Sequence, residues 1–341
     1  MSASTLSPAP APTGAAAAPR GPSLLRRLAA TPEAGVILAC VVAFVVFAVA
    51  APTYSSTPNM QVMGRDLAQF GILAIGESFV ILTGGIDLSV GGLAGLSGIL
   101  VGWFSVTHGI PAPLAIVLTL LICAGIGYWH GSMVNRLNVP PFVITLVTFT
   151  ICKGLALSIT GGTPITNLSN IFGDLSLYYV GPVPIPALIF VGVAVAAWFA
   201  LERTYIGRQI YAVGGNLEAA RLAGIPVARR RTTAYVTSSV LSGVVGMLII
   251  GRLGVADPSI AGTGYELTAI AAAVVGGVSL FGGEGRIVGI AAGAILLELI
   301  SQGLLSLNVN TYYLTVAQGV VLGVAILADR LRAKFFGTGR G

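Results

Sequence analysis

Between Ala34 and Ala51 the chain reads AGVILACVVAFVVFAVAA, eighteen residues without a charged side chain. As an α-helix this run is about 27 Å long, close to the ~30 Å hydrocarbon core of a bilayer. Lipid cannot satisfy a bare amide, so a helix, which pairs its own backbone, is the expected form. Ala48-Val49-Ala50 also reads as an A-x-A cleavage site, the mark of a removed signal peptide. The apolar run is too long for a typical signal core, and the leader before it is long. We therefore read it as a retained anchor.

Nine further apolar runs follow, at about 66–83, 88–106, 112–132, 142–160, 184–201, 233–252, 266–281, 287–305 and 311–328. The expected fold class is all-α, a polytopic integral membrane protein of about ten transmembrane helices. The run 266–281 is short and Gly-rich around Val275-Gly276-Gly277-Val278, which suits a tilted, broken or re-entrant span. Composition agrees: hydrophobic residues make up 55% of the chain and charged residues 9%. A soluble domain carries about 25% charged residues. Cys40, Cys123 and Cys152 all lie in apolar runs and read as buried thiols. His108 and His130, far apart, read as interfacial residues near span ends.

Charge gives the orientation. With the N-terminus inside and the spans alternating, the inner segments receive Arg20, Arg26, Arg27, Arg136, Arg203, Arg208, Arg221, Arg229, Arg230, Arg231, Arg286, Arg330, Arg332, Lys334 and Arg340. The outer segments receive only Arg65 and Arg252, and Lys153 falls inside a run. Cytoplasmic loops carry the excess of Lys and Arg, so both termini are expected in the cytoplasm. The expected organisation is a disordered cytoplasmic leader at 1–33, a transmembrane domain at 34–329 and a cytoplasmic tail at 330–341. The leader is rich in Ala, Pro and Ser, too poor in apolar bulk to form a core.

The longest charged loop spans 202–232 and contains GRQIYAVGGNLEAARLAGIPV, Gly207 to Val227. Gly214-Gly215 reads as a flexible turn and Asn216 as an N-cap. Glu218 suits the first helical turn and Arg221 the last. Gly224 then stops the helix and Pro226 prevents its continuation. The spacing predicts a helix over 217–223, held out of the membrane between charged flanks. Ala219, Ala220 and Ala223 would allow another protein close approach; a plain solvated helix would read the same way.

This segment resembles the cytoplasmic coupling segment of the ribose-type sugar ABC-transporter permeases. TGGIDLSVG (Thr83 to Gly91), VPPFVITLVT (Val139 to Thr148) and the block DPSIAGTGYELTAIAAAVVGGVSLFGGEGRIVG (Asp257 to Gly289) are similar to signatures of that family, in the same order. The resemblance covers about residues 60 to 332. It implies a multi-pass subunit of a bacterial cell (inner) membrane importer for a ribose-, xylose- or galactose-type monosaccharide. It implies three partners: a cytoplasmic ATPase subunit, an extracytoplasmic sugar-binding protein and a second permease copy, in a homodimer or heterodimer. Gly214, Gly215, Asn216, Glu218, Ala219, Ala220, Arg221 and Gly224 would form the ATPase-coupling helix. Lys153 stands where many members carry Arg, and Gln302 where Asn is common; the Ala/Pro leader is not a family feature. No Walker A loop accompanies Lys153 or Lys334, so no cofactor is expected on this chain, and ATP and Mg would belong to the partner. No nucleophile–base pair marks it as an enzyme.

Glu77, Asp87, Lys153, Glu298 and Gln302 are the candidate pathway or interhelical polar residues. Ionisable groups inside a bilayer usually face the bundle interior. Asp87 suits a cap of the third helix. Two other functions fit a polytopic chain: an ion-coupled secondary transporter using Glu77, Glu298 or Lys153, and a branched-chain amino-acid ABC permease. Finally, TGGIDLSVGGLAG from Thr83 aligns with FGGEGRIVGIAAG from Phe281, sharing six of thirteen positions, a weak internal echo.

Overall fold

The computed structural model describes residues 32–259, 264–314, 316, 319–320, 323–324 and 327. Almost all of the leader and the whole of the tail lie outside the described residues. So does part of the run 311–328.

The described residues are mostly helical. In order come α1 (Pro32–Ala50), α2 (Thr57–Leu82), α3 (Val90–Gly102), α4 (Ala112–Arg136), α5 (Pro141–Thr160), α6 (Asn170–Leu177) and α7 (Ile185–Trp198). Then follow α8 (Tyr205–Gly215), α9 (Leu217–Leu222), α10 (Val227–Leu253), α11 (Tyr265–Val275) and α12 (Ile287–Ser306). Wider π-type turns extend α3 over Trp103–Thr107 and α7 over Phe199–Arg203. A small antiparallel hairpin, β1 (Tyr179–Val180) and β2 (Val183–Pro184), precedes α7.

Seven of these helices are long and apolar enough to cross a membrane: α1, α3, α4, α5, α7, α10 and α12. The chain is an all-α, multi-pass membrane protein. The helix α2, at 26 residues one shorter than α10, carries Arg65, Asp66 and Glu77. Its position explains why it can. Every residue from Gly71 to Leu82 is buried, so Glu77 meets protein rather than lipid, and Asp66 is buried as well. All of α3 from Val90 to Gly102 is buried as well, while α4, α5 and α7 expose Leu121, Leu146 and Val195 on outward faces.

Small residues set the packing of the interior. A Cβ on Gly127 of α4 would fall 2.6 Å from the Tyr235 carbonyl of α10. Gly246 of α10 lies against the Ala94 carbonyl of α3 in the same manner. Lipid supplies no hydrophobic drive between helices, so this backbone proximity maximises dispersion contact.

The run 266–281 folds as a short apolar helix followed by a turn. α11 has 11 residues, about 16 Å of rise, roughly half a bilayer. Its far end turns through Gly276 to Gly285, four of whose glycines adopt positive φ: Gly277, Gly282, Gly283 and Gly285. Cross-links then sort the loops into two ends. At one, Ile165 pairs with Ala256, and the Ser176 hydroxyl donates to Leu248 O at 3.0 Å. At the other, Gly283 N–H donates to Leu82 O at 3.1 Å, Arg286 meets Glu33 at 3.7 Å, and Asn135 donates to Ala228 O at 3.0 Å. Arg136, Arg203, Arg208, Arg221, Arg229, Arg230, Arg231 and Arg286 share that second end. Single cysteines at Ser259 and Arg286, both exposed, are therefore expected to react with a membrane-impermeant maleimide from opposite faces of intact vesicles. Labelling of both from one face would overturn this arrangement.

Candidate functional site

The long loop holds two helices where the sequence reading expected one. Gly214 and Gly215 are the last residues of α8, not a flexible turn. Thr204 starts α8, its hydroxyl accepting from Gly207 N–H at 3.2 Å. Asn216 then breaks the helix with extended backbone, and its side-chain oxygen accepts the Ala219 N–H at 2.9 Å. This is the N-cap that the sequence placed there, and α9 ends one residue short of the expected Ala223. Gly224, at φ +72°, closes it. The Gly224 N–H donates to Arg221 O and the Ile225 N–H to Ala220 O, both at 3.0 Å.

A small core of its own seats α9. Val213, Ala220 and Val227 are buried together, with Leu217 and Ile225 packed against them. Ala220 is therefore an anchor facing inward, and Gly214 faces the membrane domain. The outward face is Glu218, Ala219, Arg221, Leu222 and Ala223. Glu218 and Arg221 pair at 2.9 Å, with side chains 72% and 55% exposed. Leu222 is 90% exposed, an aliphatic side chain left bare beside Arg221. Sequence reasoning missed Leu222, because a six-residue helix is too short for apolar spacing to separate its two faces.

Below α9, Tyr211 of α8 donates to Gly285 O at 2.9 Å. Burial, with the Glu202 carboxylate nearby, pushes its phenol up to about 12 against the pull of Arg286. The hydroxyl therefore keeps its proton and stays a donor at physiological pH.

The candidate polar residues inside the spans separate into two clusters and one outlier. Glu77 and Asp87 belong to the first, at the break between α2 and α3. Glu77 Oε1 accepts the Asp87 N–H at 3.0 Å. Thr145 of α5 accepts the Leu88 N–H at 3.1 Å. Asp87 Oδ1 accepts both the N–H and the hydroxyl of Ser89, at 2.9 and 2.5 Å, and Oδ2 accepts from Ser238 of α10 at 3.0 Å. Three successive amides at the start of α3 are thus satisfied by side chains, as buried backbone requires. Asp87 does not cap α3 as expected; Ser89 holds the cap position, and Asp87 ties the break to α10. His130 is not interfacial either. It is fully buried, with Nε2 2.7 Å from Thr148 Oγ1. Thr148 Oγ1 also lies 3.0 Å from Ile144 O, one turn back on α5.

Gln302 belongs to the second cluster, at the other end. Its amide donates to Asp66 Oδ2 at 3.2 Å, and the Arg252 guanidinium grips both oxygens of Asp66. Glu298, one turn before Gln302 on α12, is buried. Asp66 was not singled out in the sequence, and Arg252 read only as one of the two arginines of the outer segments. Lys153 joins neither cluster. It is exposed on α5, its ammonium 5.5 Å from the centre of the Phe149 ring.

Comparison with known proteins gives the wider setting. A family profile described as branched-chain amino acid transport system / permease component matches residues 65–328. The ribose import permease protein of Bacillus subtilis (strain 168) is 39% identical over 302 residues, covering 88% of this chain and 93% of that protein. The D-allose transport system permease protein of Escherichia coli (strain K12) is 36% identical, covering 87% and 91%. The xylose transport system permease protein of the same strain is 32% identical, covering 81% and 86%. No solved structure matches the chain.

Proposed function

This chain belongs to the permease family described as branched-chain amino acid transport system / permease component, and from that premise we propose that it forms the membrane pathway of an ABC importer for a monosaccharide. The observation that carries the reading is the outward face of α9. A short helix seated on its own core, outside the spans, presents Glu218, Arg221 and the bare Leu222 to a protein partner. That partner is a cytoplasmic ATPase subunit. The arginine-rich end of the bundle, with both termini, is then cytoplasmic, in the inner membrane of a bacterium. Ten spans, with α11 as a half-span, complete one copy, and two copies frame the pathway. An extracytoplasmic binding protein delivers the sugar. The relatives named for ribose, allose and xylose import favour a monosaccharide over an amino acid.

Reconstitution tests the reading. Proteoliposomes holding the chain with its ATPase should take up D-ribose, D-allose or D-xylose only when binding protein and ATP are both supplied. A proton or sodium ionophore should leave uptake unchanged. Glu298→Gln should retain most of it, since a buried carboxylate that couples no ion can be replaced by a neutral isostere. Uptake that collapses with the ionophore while ATP is maintained would overturn the proposal in favour of ion coupling.

A further inference from the structure

Glycines from three stretches far apart in sequence meet at one point: Gly84, Gly214-Gly215 and Gly282-Gly283. A Cβ added to Gly214 would land on the Leu82 carbonyl oxygen and lie 2.6 Å from the Gly283 amide nitrogen. One added to Gly282 would lie 2.9 Å from Gly84 N and 3.1 Å from Gly214 Cα. One added to Gly283 would lie 2.6 Å from Gly215 Cα. Gly282 and Gly283 also hold φ of +84° and +77°, where a side chain is strained in any case. The Gly283 N–H donates to Leu82 O at 3.1 Å, and Tyr211 donates to Gly285 O at 2.9 Å.

The end of α8 therefore rests on bare backbone from two directions. One is the end of α2, a single helix that runs back to Asp66, where it holds Arg252 and Gln302. The other is the turn joining the half-span α11 to α12. These are the two turns that carry the internal echo, TGG at Thr83 and FGG at Phe281. A contact between side chains can absorb a displacement by rotamer change. Backbone against backbone at van der Waals distance has no such freedom, so a displacement is passed on.

We propose that this junction is where movement of α9 enters the membrane domain, with Gly214, Gly283 and Tyr211 as positioning residues for coupling. The proposal rests on the reading of α9 as the ATPase contact. A push on α9 would move α8, and α8 would move α2 and the α11–α12 turn together.

The test uses the full complex in proteoliposomes, with the D-ribose-loaded binding protein as the probe. Three quantities are read: ATPase retained on the purified permease, basal ATP hydrolysis, and its stimulation by the loaded binding protein. Gly214→Ala should retain the ATPase and basal hydrolysis but lose stimulation by about tenfold, a loss typical of broken coupling between sites. Gly125→Ala, where a Cβ meets open space on α4, should lose none. Tyr211→Phe adds no atom and deletes only the hydrogen bond to Gly285, so it decides the matter if Gly214→Ala does not fold. It should lower stimulation severalfold at normal protein yield. Unchanged stimulation in Gly214→Ala and in Tyr211→Phe would overturn the proposal. So would loss of the ATPase itself from Gly214→Ala, which would make Gly214 a docking residue. Failure of the wild-type chain to retain any ATPase would instead remove the underlying reading of α9.

Discussion

Gly215→Trp and Glu218→Arg are each expected to abolish transport while the chain still inserts and folds. The physical basis is that both changes fall on the outward side of the α8–α9 corner. A Cβ at Gly215 has open space around it, so a larger side chain grows outward rather than into the membrane domain. An indole there would stand where the partner surface must approach. Glu218 lies in the first turn of α9, where an acid suits the helix dipole. Arginine there reverses that charge and faces Arg221 three residues on. The ion pair it removes is exposed, and such pairs contribute at most about 1 kcal/mol. The helix core of Val213, Ala220 and Val227 is untouched, so α9 should persist. Residues central to an interface commonly contribute about 2 kcal/mol or more. Uptake should therefore fall by at least about 30-fold, and the ATPase should no longer co-purify. Leu222→Asp should act in the same direction. Normal uptake in both Gly215→Trp and Glu218→Arg would remove α9 from the coupling path.

The sequence made the spans legible because apolar length is a one-dimensional property. The run Ala34 to Ala51 became α1 with its start within two residues and its end within one. The cap at Asn216 was legible too, since capping depends on a side chain and amides two or three residues away. Residues whose partners lie far along the chain were not legible in this way. Asp87 read as a local cap because nothing in its neighbourhood announces Ser238, 151 positions later. His130 read as interfacial because its burial depends on Thr148 and on the Tyr235 ring, on two other helices. Asp66 and Arg252, 186 positions apart, find each other only through the packing of α2 on α10. The glycine pairs were visible as a weak echo, but only the fold reveals that the two copies touch.

Asp87→Ala is expected to be strongly destabilising. The side chain is fully buried, and its two oxygens accept three hydrogen bonds. Removing it leaves the Ser89 N–H, the Ser89 hydroxyl and the Ser238 hydroxyl without that acceptor. A buried polar group stripped of its partner costs about 1–3 kcal/mol, so a total of about 4 kcal/mol is reasonable. That is a large share of the 5–15 kcal/mol that typically separates a folded domain from its unfolded chain. Asp87→Asn keeps one carbonyl oxygen for Ser89, and the Ser238 hydroxyl can rotate to accept from the new amide. Its cost should be about 1–2 kcal/mol. Thermal unfolding of the detergent-solubilised protein should rank wild type above Asp87→Asn, and that above Asp87→Ala. A melting temperature for Asp87→Ala equal to wild type would show that the break between α2 and α3 is held by something else. The Asn variant also separates structure from pathway. If Asp87 only clamps α3 to α10, uptake should follow stability across the two variants. Should Asp87→Asn melt near wild type yet transport nothing, the carboxylate itself would be needed by the moving substrate.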